Sequence, residues 1–173
     1  ILTLVDQSGS MAGLPIQEAI KATLLLNRAS EIAKITFGVW GFKARTQPSI
    51  HRTLSQTLPT IDEKAIKEIV SMKASGGTWL SPVFEQAGLA LLSRQEQIKL
   101  LLLFHDGALS AEDATSVRER VVQFRRQRLI VQPVFIGNDT NAVQMNQQIF
   151  GNLLHCDRVQ QLTPLLRAWL YAM

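Results

Sequence analysis

The order of apolar runs along this chain predicts a doubly wound α/β sheet with helices on both faces. Three observations carry that expectation. Ile1-Leu2-Thr3-Leu4-Val5 is a short apolar run, rich in β-branched residues, that stops abruptly in polar ones, as a fully buried strand does. Ile98 to Phe104 is the most apolar stretch and reads as a central strand, because only strands covered on both sides are continuously hydrophobic. Between such runs lie longer segments with helical spacing, and strands alternating with helices build a doubly wound sheet.

The elements follow in order. After the polar turn Asp6 to Ser10, Leu14 to Ala33 reads as a helix with Ile16, Ala19, Ile20 and Leu24 facing the sheet. Ile35 to Phe42 is the second strand, rich in aromatics. Lys43 to Ser49 contains Pro48 and polar residues and reads as a loop, followed by a plausible edge strand, Ile50 to Leu54. Thr60-Ile61-Asp62-Glu63 is a capping-box pattern opening a helix to about Met72. After Gly76-Gly77, Ser81 caps a helix with Pro82 at its first position, running to about Gln95. Ser110 to Asp113 is a second capping box, opening a helix to about Gln127 with Val117, Val121, Val122, Phe124 and Leu129 available for the core. Ile130 to Ile136 is a buried strand, Ala142 to Phe150 a helix, and His155 to Val159 a short strand. Thr163-Pro164 starts a last helix through Trp169. No repeat or low-complexity segment interrupts this order.

With 173 residues the chain is expected to form one domain, 1–173, with a sizeable core. It opens on a core strand without an initiator methionine, so it is expected to be a domain cut from a longer polypeptide. Cys156 is the only cysteine, which excludes an intrachain disulfide and a cysteine-based metal cluster and favours a reducing, cytoplasmic compartment. The longest apolar runs are too short to cross a bilayer, and nothing resembles a signal peptide. A net charge of +4, from 18 basic and 14 acidic residues, is not the footprint of a nucleic-acid binder. Arg118, Arg120, Arg125, Arg126 and Arg128 make one helix basic; a solvated face or docking on an acidic partner both fit.

The chemistry gathers at the first strand's end. In a parallel sheet ligands bind beyond the carboxyl ends of the strands, and there Asp6, Ser8 and Ser10 offer one carboxylate and two hydroxyls on alternate residues. Asp6-x-Ser8-x-Ser10, Ser75-Gly76-Gly77-Thr78 and the run Leu101 to Phe104 ending in His105-Asp106-Gly107, in this order, resemble the metal-ion-dependent adhesion site of von Willebrand factor A (vWA) domains. The resemblance spans essentially the whole chain. It implies a Rossmann-like, mostly parallel sheet whose third strand pairs antiparallel at one edge. It also implies Mg2+, with Mn2+ or Ca2+ as substitutes, bound by Ser8 and Ser10 directly, by Asp6 and Asp106 directly or through water, and by Thr78 according to conformational state. The open coordination position would take an Asp or Glu carboxylate from a protein partner. Asp6-Gln7-Ser8-Gly9-Ser10-Met11 followed by Gly13-x-Pro15-Ile16 is most similar to intracellular microbial members that accompany AAA+ ATPases or serve stress and conflict systems.

Each residue taken singly also has a plainer reading. Asp6 and Ser8 are good helix caps, Thr78 is an ordinary loop hydroxyl, and Asp106-Gly107 makes a turn after a strand. Trp79, where the family is often polar, either packs under its loop or forms a hydrophobic rim. His105 is a neutral hydrogen bonder behind the site, a group that makes binding pH-sensitive near neutrality, or a packed core histidine. His51 and His155 have no ligand-like spacing. Extracellular adhesion through the same metal is an alternative function. An enzyme is another: Ser8 or Ser10 with His105 and Asp106 is the residue set of a hydrolase, and Asp6 that of a phosphoryl acceptor. Against these, neighbouring strand-end residues point in different directions and no Gly-x-Ser-x-Gly elbow exists.

Overall fold

The computed structural model describes residues 1–44, 47–55, 62–162, 164 and 168. Its six strands are β1 (Leu2–Asp6), β2 (Phe37–Phe42), β3 (Ser49–Ser55), β4 (Lys99–His105), β5 (Leu129–Ile136) and β6 (Leu154–Cys156), ordered β3-β2-β1-β4-β5-β6. Every pairing is parallel except that of β3, the antiparallel edge. The helices are α1 (Leu14–Ala33), α2 (Glu63–Val70), α3 (Ser81–Leu92), α4 (Ala111–Arg126) and α5 (Thr140–Phe150).

Strand alternation sorts the core into two layers. Leu2, Leu4, Phe42, Leu101 and Leu103 meet α3, α4 and α5 on one side of the sheet. Val5, Phe37, Val39, Leu102, Phe104 and Val134 meet Ile16, Ala19 and Leu26 of α1 and Ile69 of α2 on the other. Each fully buried leucine or phenylalanine contributes about 2 kcal/mol. Where α3 crosses α4, Gly88 lies under the Phe124 ring so closely that a Cβ would come within 2.1 Å of it.

Several boundaries move from the sequence expectation. The left-handed Lys34 stops α1, so Ile35 is exposed and β2 begins at Phe37. Ile98 is 75% exposed and β4 begins one residue later. Ile16 and Ala19 are buried as expected, but Ile20 and Leu24 only half-face the core, while Ala22, Leu26 and the polar Glu18, Thr23, Asn27, Ser30 and Glu31 are also buried. Val122 is exposed, since the inward stripe of α4 is Val117, Val121 and Phe124, at helical spacing. Asp62 caps α2, accepting from Ala65 N at 2.9 Å; Thr60 and Ile61, where the capping box is expected to open, lie outside the described residues. Helix α3 ends at Leu92 rather than Gln95, where the Ser93 hydroxyl donates to Ala90 O. Asp139 starts α5 two residues early by accepting from Asn141 N and Ala142 N. Strand β6 spans Leu154–Cys156 instead of reaching Val159. The helix expected from Thr163 through Trp169 falls outside the described residues, apart from Pro164 and Ala168.

The basic helix is partly used internally. Arg120 pairs with Glu85 of α3 at 2.5 Å, and Arg125 donates to Phe150 O and Asn152 Oδ1, closing the end of α5. Among the described residues no helix is long and apolar enough to cross a membrane.

Candidate metal centre

The sheet order itself creates the site. The chain leaves β1 toward β2 on one side and returns to β4 on the other, so the space beyond β1 and β4 is where the winding reverses. Val5 lies in register with Phe104, which sets Asp6 and Asp106 at neighbouring strand ends although 100 residues separate them. The Asp6-to-Ser10 turn runs into a 3-10 turn, Gly9–Met11, before α1 starts. Helix α1 is capped by Gly13 without side-chain help, so Asp6 and Ser8 are not its caps.

Four of the five expected ligand residues form one continuous chain of contacts. Asp6 is fully buried, and its Oδ1 accepts from Ser8 N at 2.7 Å. Ser8 Oγ lies 3.0 Å from Ser10 Oγ, and Ser10 Oγ donates to Asp106 Oδ1 at 2.7 Å. Thr78 is half-buried and its hydroxyl makes no hydrogen bond to these four residues. Its loop is nevertheless fastened to theirs: Gly9 N donates to Gly76 O, Ser75 N to Gln7 O and Ala44 N to Gly77 O, each at 2.7 Å. Gly76 has φ +77°, which admits glycine readily, and a side chain on Gly9 would press on Gly76 O at 3.2 Å.

The electrostatics are those of a cluster short of positive charge. Burial pushes the Asp6 carboxyl up to about 7; hydrogen bonds from Ser8 oppose this, and the nearby Asp106 charge adds to it. Burial likewise raises the Asp106 carboxyl, against the hydrogen bond from Ser10. Asp6 Oδ2 is buried and has no hydrogen-bond partner among the described residues. An orphaned carboxylate oxygen beside two hydroxyls and a second carboxylate fits a small hard cation such as Mg2+, which takes oxygen ligands and keeps several waters. Among the described residues no three His, Cys, Asp or Glu side chains converge, and the donors of this cluster are two carboxylates and two hydroxyls.

Residues behind the cluster hold it, and most carry no legible signal. Gln7 is buried: its backbone N donates to Phe42 O at 2.8 Å, its Oε1 accepts from Ser49 Oγ at 2.9 Å, and its Nε2 meets His51 Nε2 at 2.8 Å. With Gln7 as donor there, His51 is neutral and donates through Nδ1 to Glu68 O. Gly41 is required beneath, because a Cβ would come within 2.5 Å of the Gln7 amide. Asp113 accepts from Leu80 N at 2.8 Å and Ser81 N at 2.7 Å, so α3 is capped from α4 rather than by Ser81. Ser110 accepts from Asp113 N as its half of the expected box, but the Asp113 carboxylate is spent on α3.

Trp79, next to Thr78, is 39% exposed, and Leu80 takes the fully buried position. His105 is buried edge-on to Phe135 and Phe150, at 5.5 and 6.2 Å between ring centres. Burial pulls its pKa down to about 4, opposed only weakly by the Gly107 backbone, and neither ring nitrogen finds a well-formed partner among the described residues. Of the three readings His105 allows, the packed core histidine fits, although its ring nitrogens are not satisfied, and its lowered pKa does not fit a sensor near neutrality. His155 lies away from the cluster among the described residues, its Nε2 2.7 Å from Gly137 O.

No family model matches the chain, and no curated protein matches it. Solved structures do. The D319A mutant of the PilB minor pilin from Streptococcus sanguinis superposes with a TM-score of 0.80 at 13% identity, over 99% of this chain and 60% of that one. A von Willebrand factor type A protein from Catenulispora acidiphila gives 0.71 at 17% identity, over 97% and 41%. The conserved hypothetical protein BatB from Bacteroides thetaiotaomicron gives 0.65 at 10% identity, over 98% of both chains. This chain thus spans less than two thirds of the first two. The fold is that of a vWA domain.

Proposed function

We propose that the chain is a metal-dependent protein-interaction module without catalysis of its own, gripping a partner's Asp or Glu carboxylate through Mg2+ held at the carboxyl ends of β1 and β4. The observation that carries this reading is the buried Asp6 Oδ2, without a hydrogen-bond partner among the described residues and set in a cluster whose other members are Ser8, Ser10 and Asp106. Two carboxylates against a divalent ion make a formally neutral centre, which can accept one more carboxylate without accumulating charge. Ser8 and Ser10 would give hydroxyl oxygens, Asp6 and Asp106 carboxylates directly or through water, and Thr78 a hydroxyl from the fastened loop. Mn2+ or Ca2+ would substitute.

The closeness of the Asp6-to-Ile16 segment to intracellular microbial vWA sequences supports a cytoplasmic role beside an AAA+ ATPase or in a stress or conflict system. The likeness to a minor pilin favours a second reading, an extracellular adhesion domain using the same metal. That reading predicts a signal sequence and flanking disulfides in the full-length protein.

Magnesium titration by calorimetry tests the metal. Saturable binding by the wild type, lost in Ser8→Ala/Ser10→Ala, is the expected outcome. Equal binding by both proteins would remove the hydroxyls from the ligand set.

A further inference from the structure

The rim of the candidate centre carries a feature that metal chemistry does not use. Trp79 follows Thr78 directly and remains 39% exposed. Its loop is not loose: Gly76 O and Gly77 O accept from Gly9 N and Ala44 N, and Leu80 N and Ser81 N are held by the Asp113 carboxylate. A large aromatic side chain is therefore presented to solvent on a backbone tied down on both sides. Such a side chain contributes strongly at an interface because little further ordering is needed when a partner arrives. Leu14, which opens α1, is 53% exposed. Charge on the neighbouring loops is basic: Lys43 donates to Ser75 Oγ at 3.2 Å, and Lys73 is exposed. The positive charge favours an acidic segment, and the exposed indole favours one with an apolar side chain beside its carboxylate.

We infer that Trp79 sets the specificity of the carboxylate site, selecting protein segments in which the metal-bound Asp or Glu has an apolar residue directly next to it. The inference rests on the metal-dependent reading above and names its partner class. The tryptophan packs on the apolar neighbour while the metal takes the carboxylate, so neither contact alone defines a ligand.

The test uses arrayed short peptides that keep one Asp constant and vary its two neighbours among Leu, Phe, Ser and Lys. They are probed with wild type, Trp79→Ser and Trp79→Phe, in magnesium and in chelator, and each protein is also titrated with magnesium by calorimetry. Wild type should prefer Leu or Phe neighbours over Ser by about 10-fold, in magnesium only. Trp79→Ser should lose that preference while still requiring the Asp, and Trp79→Phe should restore most of it. A wild-type profile without neighbour preference, a preference unchanged in Trp79→Ser, or no peptide binding by a magnesium-loaded protein overturns the inference alone. Absence of magnesium binding, or peptide binding that survives chelator, overturns the metal-dependent reading and this inference with it.

Discussion

Asp6 is the residue at which stability and function oppose each other. Its carboxyl rises from an ordinary 3.8 to about 7 on folding, because burial disfavours the charged form. A group whose pKa rises on folding favours the folded state while protonated. The metal-free protein should therefore lose on the order of 4 kcal/mol as pH climbs from about 4 to about 7. A metal needs the deprotonated ligand, so magnesium affinity should rise over the same interval and reverse the loss. Thermal denaturation across that range, in chelator and in magnesium, reads both effects. Asp6→Asn should flatten the chelator profile and abolish the magnesium response; a response that persisted would exclude Asp6 as a ligand. His105 contributes nothing to this profile near neutrality, since it titrates only around pH 4.

At the scale of elements, the loop bearing Thr78 and Trp79 is held by a helix it does not belong to. Asp113 in the first turn of α4 receives two backbone N–H groups from the start of α3. Hydrogen bonds to a charged acceptor contribute about 1.5–3 kcal/mol each, and the donors left behind would be buried. Asp113→Ala should therefore cost about 3 kcal/mol, measured as a lowered urea midpoint, and should weaken peptide binding beyond its effect on stability. The sequence shows Ser110 and Asp113 at capping spacing, and that half of the reading holds. Nothing in local spacing reveals that the carboxylate reaches across to α3, because the partner donors lie more than thirty residues away.

Across the whole molecule, the antiparallel edge is tied to the first helix by a buried ionic cluster. Arg52 of β3 lies 3.6 Å from Glu31 of α1, donates to Asn27 and to Phe37 O, and stands 5.9 Å from the Phe37 ring centre. Asn27 and Arg28 complete the Glu31 carboxylate, at 3.0 and 3.2 Å. Removing one partner of a buried pair strands the other charge, so Arg52→Met should cost about 3–5 kcal/mol. Glu31→Leu/Arg52→Met should recover most of that loss, because two apolar groups need no compensation. A double-mutant cycle by chemical denaturation checks it; additive losses would show that the two charges act independently.

The sequence by itself determined which stretches are strands, since a strand covered on both faces must be continuously apolar, as Leu100 to Phe104 is. It determined the long α1 through its spacing, and through three short motifs it marked Asp6, Ser8, Ser10, Thr78 and Asp106 as one candidate site. Only the tertiary structure decided how these residues meet. It joined Asp6, Ser8, Ser10 and Asp106 in one contact chain and left Thr78 outside it, turned Trp79 outward and Leu80 inward, exposed Val122 and buried Glu31 with Arg52. The reason is physical. Periodicity records how much surface each residue buries, whereas hydrogen-bond partners and the choice of buried side chain depend on which distant elements pack together.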